Sequence, residues 1–398
     1  MVPGVGGPSK VAVTNDRLEP VGGSMPESTD SSARPTDSSV PVTATAEPTE
    51  TEQASRVTTL PGDAEFALCL THDVDRPYKG IRSLYYATQE RPGYHLRSAL
   101  DDTNPYWQFE EIMELEADLG VRSAFYFLNE QHLLADRPPR EWLSPSNWVQ
   151  HLGRYDVTAP EIVDVIQALD DGGWEVGLHG SYHTATDRER LHEEKTTLES
   201  VLDGPVRGGR QHHLRLETPE TWGHHRAIGL EYDASLGSST ECGFHEGYHP
   251  VRPFGDEFVV FPLTVMDQAL PDPGKTFEAA QRTCERLLLE AMNHGGVMTV
   301  LWHPRFFNEQ EYPGHRELYR WVVERALELG AWVGSPGEFR TALALECERE
   351  HAKDHELQQR RALEHTASER TQPPQYAEAN RVLEETPPTG PSAARGEP

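Results

Sequence analysis

Lysine is nearly missing from this chain. Of 398 residues only five are lysine (Lys10, Lys79, Lys195, Lys275 and Lys353), against 31 arginines, and the formal charge is −29. So acidic a surface argues against nucleic acid as a partner, because phosphate binding needs a basic stripe. Cysteine is scarce too. Cys69, Cys242, Cys284 and Cys347 stand far apart and form no CxxC pair, which argues against a zinc ribbon or a disulfide frame. No apolar run approaches the ~18 residues that a membrane span requires. The first twenty residues lack a basic start followed by an apolar core, so no secretion signal is expected, and the expected location is cytoplasmic.

The acid-rich, lysine-poor balance suits a salt-filled cytoplasm, where net charge maintains solubility and salt screens self-repulsion. This is the composition of a halophile's protein. An ordinary acidic protein would account for the charge but not for the shortage of lysine.

Three regions are expected. Residues 1–60 are rich in Pro, Ser, Thr, Glu and Gly ("STDSSARPTDSSVPVTATAEPTE") and read as a disordered leader. Residues 346–398 form a charged tail, helical at first and then Pro-rich. The body, 61–345, alternates. Apolar runs such as "FALCLTHDV", "VRSAFYFL", "WEVGLHG", "FVVFPLTV", "VMTVLWHP" and "WVGSP" predict buried strands. Helical patterns such as "QFEEIMELEADLG", "APEIVDVIQALDDGG", "KTFEAAQRTCERLLLEAMNHGG" and "GHRELYRWVVERALELG" lie between them, and two end in Gly-Gly, a left-handed stop. Strand–helix alternation predicts parallel strands, and roughly seven units fit a (β/α) barrel one short of the usual eight. An open doubly wound sheet is the alternative, but no GxGxxG follows the first strand.

In a parallel barrel the C-terminal strand ends share one face, where the chemistry sits. Those ends carry Asp73 and Asp75 ("THDVD"), His179 and His183 ("LHGSYH"), Arg210 with His212 and His213 ("GGRQHHLR"), and His303 ("VLWHP"). A His-x-x-x-His pair alone means little, since 19 histidines give roughly one such pair by chance. There are three: 179/183, 245/249 and 351/355. The last lies in the charged tail and reads as a solvated face. The second lies in a Gly- and Pro-rich loop, where it lines a cleft or caps turns. Only 179/183 follows an apolar strand. Asp73 and Asp75 read either as a turn or as a pair held by a nearby cation, because two close carboxylates repel. His303 reads equally as a satisfied core histidine.

Two imidazoles and a carboxylate with open positions suit a catalytic divalent metal: Zn²⁺ first, with Fe²⁺, Co²⁺ or Mn²⁺ as alternatives. A second carboxylate would serve as general base and a histidine opposite as general acid, which together hydrolyse an amide. A zincin is excluded at this site, because Gly180 follows His179 where HExxH carries its glutamate.

These motifs, with "ETPETW" and "YDASLG" behind the arginine segment, stand in the order found in NodB-like polysaccharide deacetylases (carbohydrate esterase family 4). The chain resembles that family over about 65–340, most closely its branch with a DVD first motif. The resemblance implies a distorted (β/α)7 barrel and metal-dependent removal of an N-acetyl group from an amino sugar or glycan precursor. It implies Asp73 as base, with Asp75, His179 and His183 as metal ligands. It further implies that Arg210 orients the base and that His303 protonates the leaving amine. Val74 separates aspartates that are adjacent in the commoner first motif. The fourth-motif Asp has only one candidate, Asp267 in "TVMDQ", as a residue tuning the base or its arginine. His212 or His213 stands where the commoner third motif has small residues. The alternatives are a relative of the same fold acting on a small linear or cyclic amide, as allantoinase-like proteins do, and a catalytically silent carbohydrate-binding relative.

Overall fold

All nine residues from Phe66 to Val74 are buried, and they form the longest strand. The structure is a computed structural model that describes residues 55–345, apart from 81–82, 84–87, 89–92, 96–103, 136, 145–146, 149–150 and 152, together with 358–359. The expected leader lies, up to residue 54, outside the described residues, as does the expected tail except for 358–359.

Eleven strands are described: β1 (Ser55–Arg56), β2 (Phe66–Val74), β3 (Ala124–Leu128), β4 (Glu175–Gly180), β5 (Gly208–Gln211), β6 (Tyr232–Asp233), β7 (Val251–Arg252), β8 (Val259–Val260), β9 (Leu263–Met266), β10 (Val297–Leu301) and β11 (Ala331–Gly334). Neighbours β2, β3, β4, β5 and β6 pair in parallel in that order. The extended run 259–266 then pairs twice. Its first half, β8, lies parallel to β6, and its second half, β9, lies parallel to β10, which returns to β2. Counting that run once, seven parallel strands close a ring, which is the distorted (β/α)7 barrel expected.

The membership of the ring differs from the sequence reading in one place. "WVGSP" was expected as a ring strand, but β11 lies beside the start of β2, pairing Ala331–Gly334 with Phe66–Cys69. The seventh ring strand is instead the two-residue β6, too short to leave a hydrophobic pattern. A short antiparallel flap, β1 on β7 on β8, edges the sheet.

Helices α1 (Phe109–Leu119), α2 (Pro160–Asp171), α3 (Arg188–Leu202), α4 (Glu220–Ala227), α5 (Pro273–His294) and α6 (His315–Glu328) surround the strands. Alternation along β2 explains its complete burial, since its two faces meet two different cores. Phe66, Leu68 and Leu70 face Phe109, Ile112, Leu287 and Val322 of the helical layer. Ala67 and Cys69 face inward with Ala124, Tyr126, Tyr232, Val259 and Phe261. Tyr126 and Tyr232 fill the ring, their hydroxyls 3.1 Å apart. Gly208 makes room for them: a Cβ there would lie 2.0 Å from the Tyr232 ring. Both Gly-Gly stops place a left-handed glycine after the helix, Gly173 at φ 83° and Gly295 at φ 55°.

Alternation continues into the polar end of β2. His72 points outward, where Nδ1 donates to the Trp302 carbonyl at 2.6 Å and Nε2 lies 3.0 Å from Glu116 Oε1. Glu116 also accepts from Trp174 Nε1 at 2.7 Å and from the Tyr319 hydroxyl at 2.5 Å. This buried carboxylate therefore ties β2 to α1 and α6. Asp73, one residue on, is turned to the inside.

Candidate active site

Inside the ring, Arg210 of β5 lies over the Tyr126 ring, 5.1 Å from its centroid. Its Nη1 donates to Asp73 Oδ1 at 2.7 Å and to Thr71 Oγ1 at 2.9 Å, and its Nε donates to the Ala234 carbonyl at 2.7 Å. Burial works against the guanidinium charge, but Asp73, together with Tyr126 and Asp233, raises its pKa above the ordinary value. The end of β5 is itself anchored. Gln211 N donates to Ser235 Oγ at 2.8 Å, and Ser235 Oγ donates to the buried Asp233 Oδ2 at 2.5 Å. "YDASLG" thus supports the strand that carries Arg210.

Asp75 follows β2 directly. Its Oδ1 lies 3.1 Å from His179 Nε2 and 3.8 Å from His212 Nε2, and its Oδ2 lies 3.5 Å from both His303 Nε2 and Arg305 Nη1. Burial alone would raise its pKa, but the facing His179, His303 and His212 hold it well below the usual carboxylate value. For His179 burial acts to lower the pKa, yet Asp73 and Asp75 carry it above the ordinary imidazole value.

The tautomer of His179 follows from its other nitrogen. A carbonyl oxygen can only accept, so Nδ1–H donates to the Arg210 carbonyl at 3.0 Å. In the neutral ring Nε2 is then a bare lone pair aimed at carboxylates. Both His179 Nε2 and Asp75 Oδ1 are buried without a hydrogen bond. Two electron pairs facing each other in this way fit a cation held between them, and donation from Nδ1 to a backbone carbonyl is how metal-binding histidines are oriented.

His303 sits just beyond β10. Its Nδ1 lies 2.8 Å from Asp267 Oδ2, which also accepts the His303 backbone N–H at 2.5 Å. Asp267 therefore stands at His303, whereas its expected place was beside the base or its arginine. With Nδ1 engaged, His303 Nε2 faces the cleft at Asp75.

Among the described residues, one group of three metal-donor side chains has its donor atoms within 4.8 Å of one another: Asp75, His179 and His212. His183 stands apart from that group. Its Nε2 lies 3.2 Å from Asn147 Oδ1, and burial together with Arg137 and Arg190 lowers its pKa. Of the other histidine pairs singled out from sequence, His249 is partly buried near Arg56 and His294, and 351/355 lies outside the described residues.

Two contributions went unseen in the sequence. Arg305 brings a cation to Asp75, with no signal beyond lying two residues after His303. His212 was visible only as one of two adjacent histidines. Among the described residues, Cys69 and Cys284 are buried free thiols, Cys242 is a partly buried one, and no helix is long and apolar enough to cross a membrane.

No family model matches the chain, and no curated protein does. Solved structures give an outline likeness. A Mycobacterium smegmatis protein assigned as a polysaccharide deacetylase aligns at TM-score 0.47 and 16% identity, over 74% of this chain and 96% of its own. Puue allantoinase aligns at 0.46 and 14%, over 75% and 97%. The catalytic domain of a peptidoglycan N-acetylglucosamine deacetylase from Eubacterium rectale aligns at 0.35 and 10%, over 68% and 87%. At these scores the barrel rests on its own strand pairing, described above.

Proposed function

We propose that this protein is a metal-dependent hydrolase of the NodB-like type, removing an N-acetyl group from an amino sugar or a glycan precursor. One observation carries the reading: the two aspartates of "DVD" stand in opposite situations. Asp73 is held by Arg210, while Asp75 Oδ1 stands 3.1 Å from His179 Nε2, the ring nitrogen left over once Nδ1 donates to the Arg210 carbonyl. That division suits one carboxylate for a proton and one for a metal. The order of the sequence motifs supports the same reading.

Asp75 and His179 would hold a divalent ion together with a second imidazole, and the donor set of carboxylate and imidazole fits Zn²⁺, Fe²⁺, Co²⁺ or Mn²⁺. Such an ion, when bound, supplies a Lewis acid that polarises the amide carbonyl and acidifies water beside it. The protein's own residues manage the protons. Asp73, aimed by Arg210, takes a proton from the attacking water through Oδ2. His303, aimed by Asp267, delivers a proton from Nε2 to the departing amine nitrogen. The amide C–N bond breaks, giving acetate and a free amino sugar.

The competing substrates are small ureides and cyclic imides. Purified full-length protein, incubated at high salt with N-acetylated amino sugars and glycans on one side and ureides and imides on the other, separates them. Acetate and free amine in equal amounts from the sugars are expected. Hydrolysis confined to ureides or imides would overturn the substrate assignment, and no hydrolysis of either, with metal bound, would leave a binding protein.

A further inference from the structure

The third metal ligand can be chosen from the structure, resting on the reading above that Asp75 and His179 hold a divalent ion. The His-x-x-x-His spacing points to His183. We propose instead that His212 completes the site, and that the ligands come from the ends of three strands, β2, β4 and β5.

Hydrogen bonding separates the two histidines. Asn147 Nδ2 donates to the Glu141 carbonyl at 3.0 Å, which fixes the amide so that Oδ1 faces His183. An amide oxygen only accepts, so His183 Nε2 carries a proton and donates it there. That nitrogen is a satisfied donor rather than a vacant lone pair. His212 is the opposite case. It is 7% exposed, its Nδ1 is buried without a partner, and its Nε2 lies 3.8 Å from the same Asp75 oxygen that faces His179. Its ring belongs to the group whose donor atoms lie within 4.8 Å of one another, with Nε2 the nitrogen turned to Asp75.

The backbone is arranged to put it there. Immediately after His212 the chain turns through two consecutive non-glycine residues in the left-handed region, His213 at φ 59° and Leu214 at φ 53°. Such a backbone is strained for residues with a side chain, and strain of this kind collects at functional sites. The turn is braced from both sides. The His213 ring stacks on His212 with centroids 4.1 Å apart, and Arg215 Nη1 donates to the Tyr182 carbonyl at 3.0 Å. The loops after β4 and β5 are thereby pinned together, and the His179 and His212 rings meet edge to face, 5.2 Å between centroids.

The test uses the full chain and reads metal, not turnover. Apo protein is titrated with Zn²⁺ against a competing chelator for the wild type, His212→Ala and His183→Ala. The expected result is affinity lost by about 100-fold or more in His212→Ala and changed by about threefold or less in His183→Ala. Should His183→Ala lose the metal while His212→Ala retains it, or should neither lose it, the assignment is overturned. A wild type that takes up no metal would defeat the underlying reading, and that failure is seen without any variant. His212→Cys guards against a variant that merely misfolds. Loaded with Co²⁺ it should show a thiolate-to-cobalt charge-transfer band absent from the wild type and from His183→Cys. The band appearing in His183→Cys and not in His212→Cys would also overturn the assignment.

Discussion

Arg210 donates to Asp73 Oδ1 at 2.7 Å, with both side chains almost wholly buried. The pair leaves Asp73 Oδ2 free, 3.8 Å from His179 Nε2. Asp73→Asn keeps an oxygen for the arginine but removes the base. Turnover should fall by about 10²–10⁴-fold, with metal content unchanged by elemental analysis. Arg210→Met leaves a buried carboxylate unpaired and should cost about 3–5 kcal/mol in urea unfolding.

Asp267 takes both the ring N–H and the backbone N–H of His303. Asp267→Asn leaves the fold but loosens the ring that delivers the proton. Its kcat should fall by about 10–100-fold, with KM and metal affinity nearly unchanged. A rise in KM at constant kcat would place Asp267 in substrate binding instead.

How much of this was legible in the sequence depends on the range of the cause. The strand that carries Asp73 and leads into Asp75 was readable, because Phe66–Leu70 make an unbroken apolar run at its start. Arg210 and His303 were readable as polar residues closing such runs. The two-residue β6 was not, since it is held by neighbours on both sides rather than by its own pattern. Nor was the meeting of His212 with Asp75. It depends on a left-handed turn at His213 and Leu214, residue types that give no hint of one, and on Asn147, distant in sequence, occupying His183.

Glu116 receives three buried side chains, His72, Trp174 and Tyr319, from three separate parts of the chain. Glu116→Ala would strand their polar groups in the helical layer behind β2. The expected loss is about 3–5 kcal/mol, seen as a lower urea midpoint with an unchanged m-value. A loss below ~1 kcal/mol would mean that water replaces the carboxylate there.

Burial pushes the Glu194 carboxyl up to about 8. Its Oε2 accepts the Ser181 N–H at 3.0 Å, while Oε1 is buried without a partner. Between its ordinary value of 4.5 and about 8 the unfolded chain releases a proton that the folded protein retains. Stability from this group is therefore whole at low pH, falls as pH rises through that window, and levels off above it. Glu194→Gln removes the slope, so its Tm should exceed the wild type's at pH 8 and match it near pH 4.5. Parallel Tm curves for the two proteins would refute the assignment.

Metal dependence is the centre of the account, and one titration tests it. Acetate release from an N-acetylated amino sugar is followed while a chelator strips the purified protein and Zn²⁺, Co²⁺ or Mn²⁺ is then returned. The account predicts that turnover disappears with the metal and returns at one equivalent per chain, and that Asp75→Ala neither binds the ion nor recovers. Full turnover in the stripped protein, or in Asp75→Ala, would contradict it.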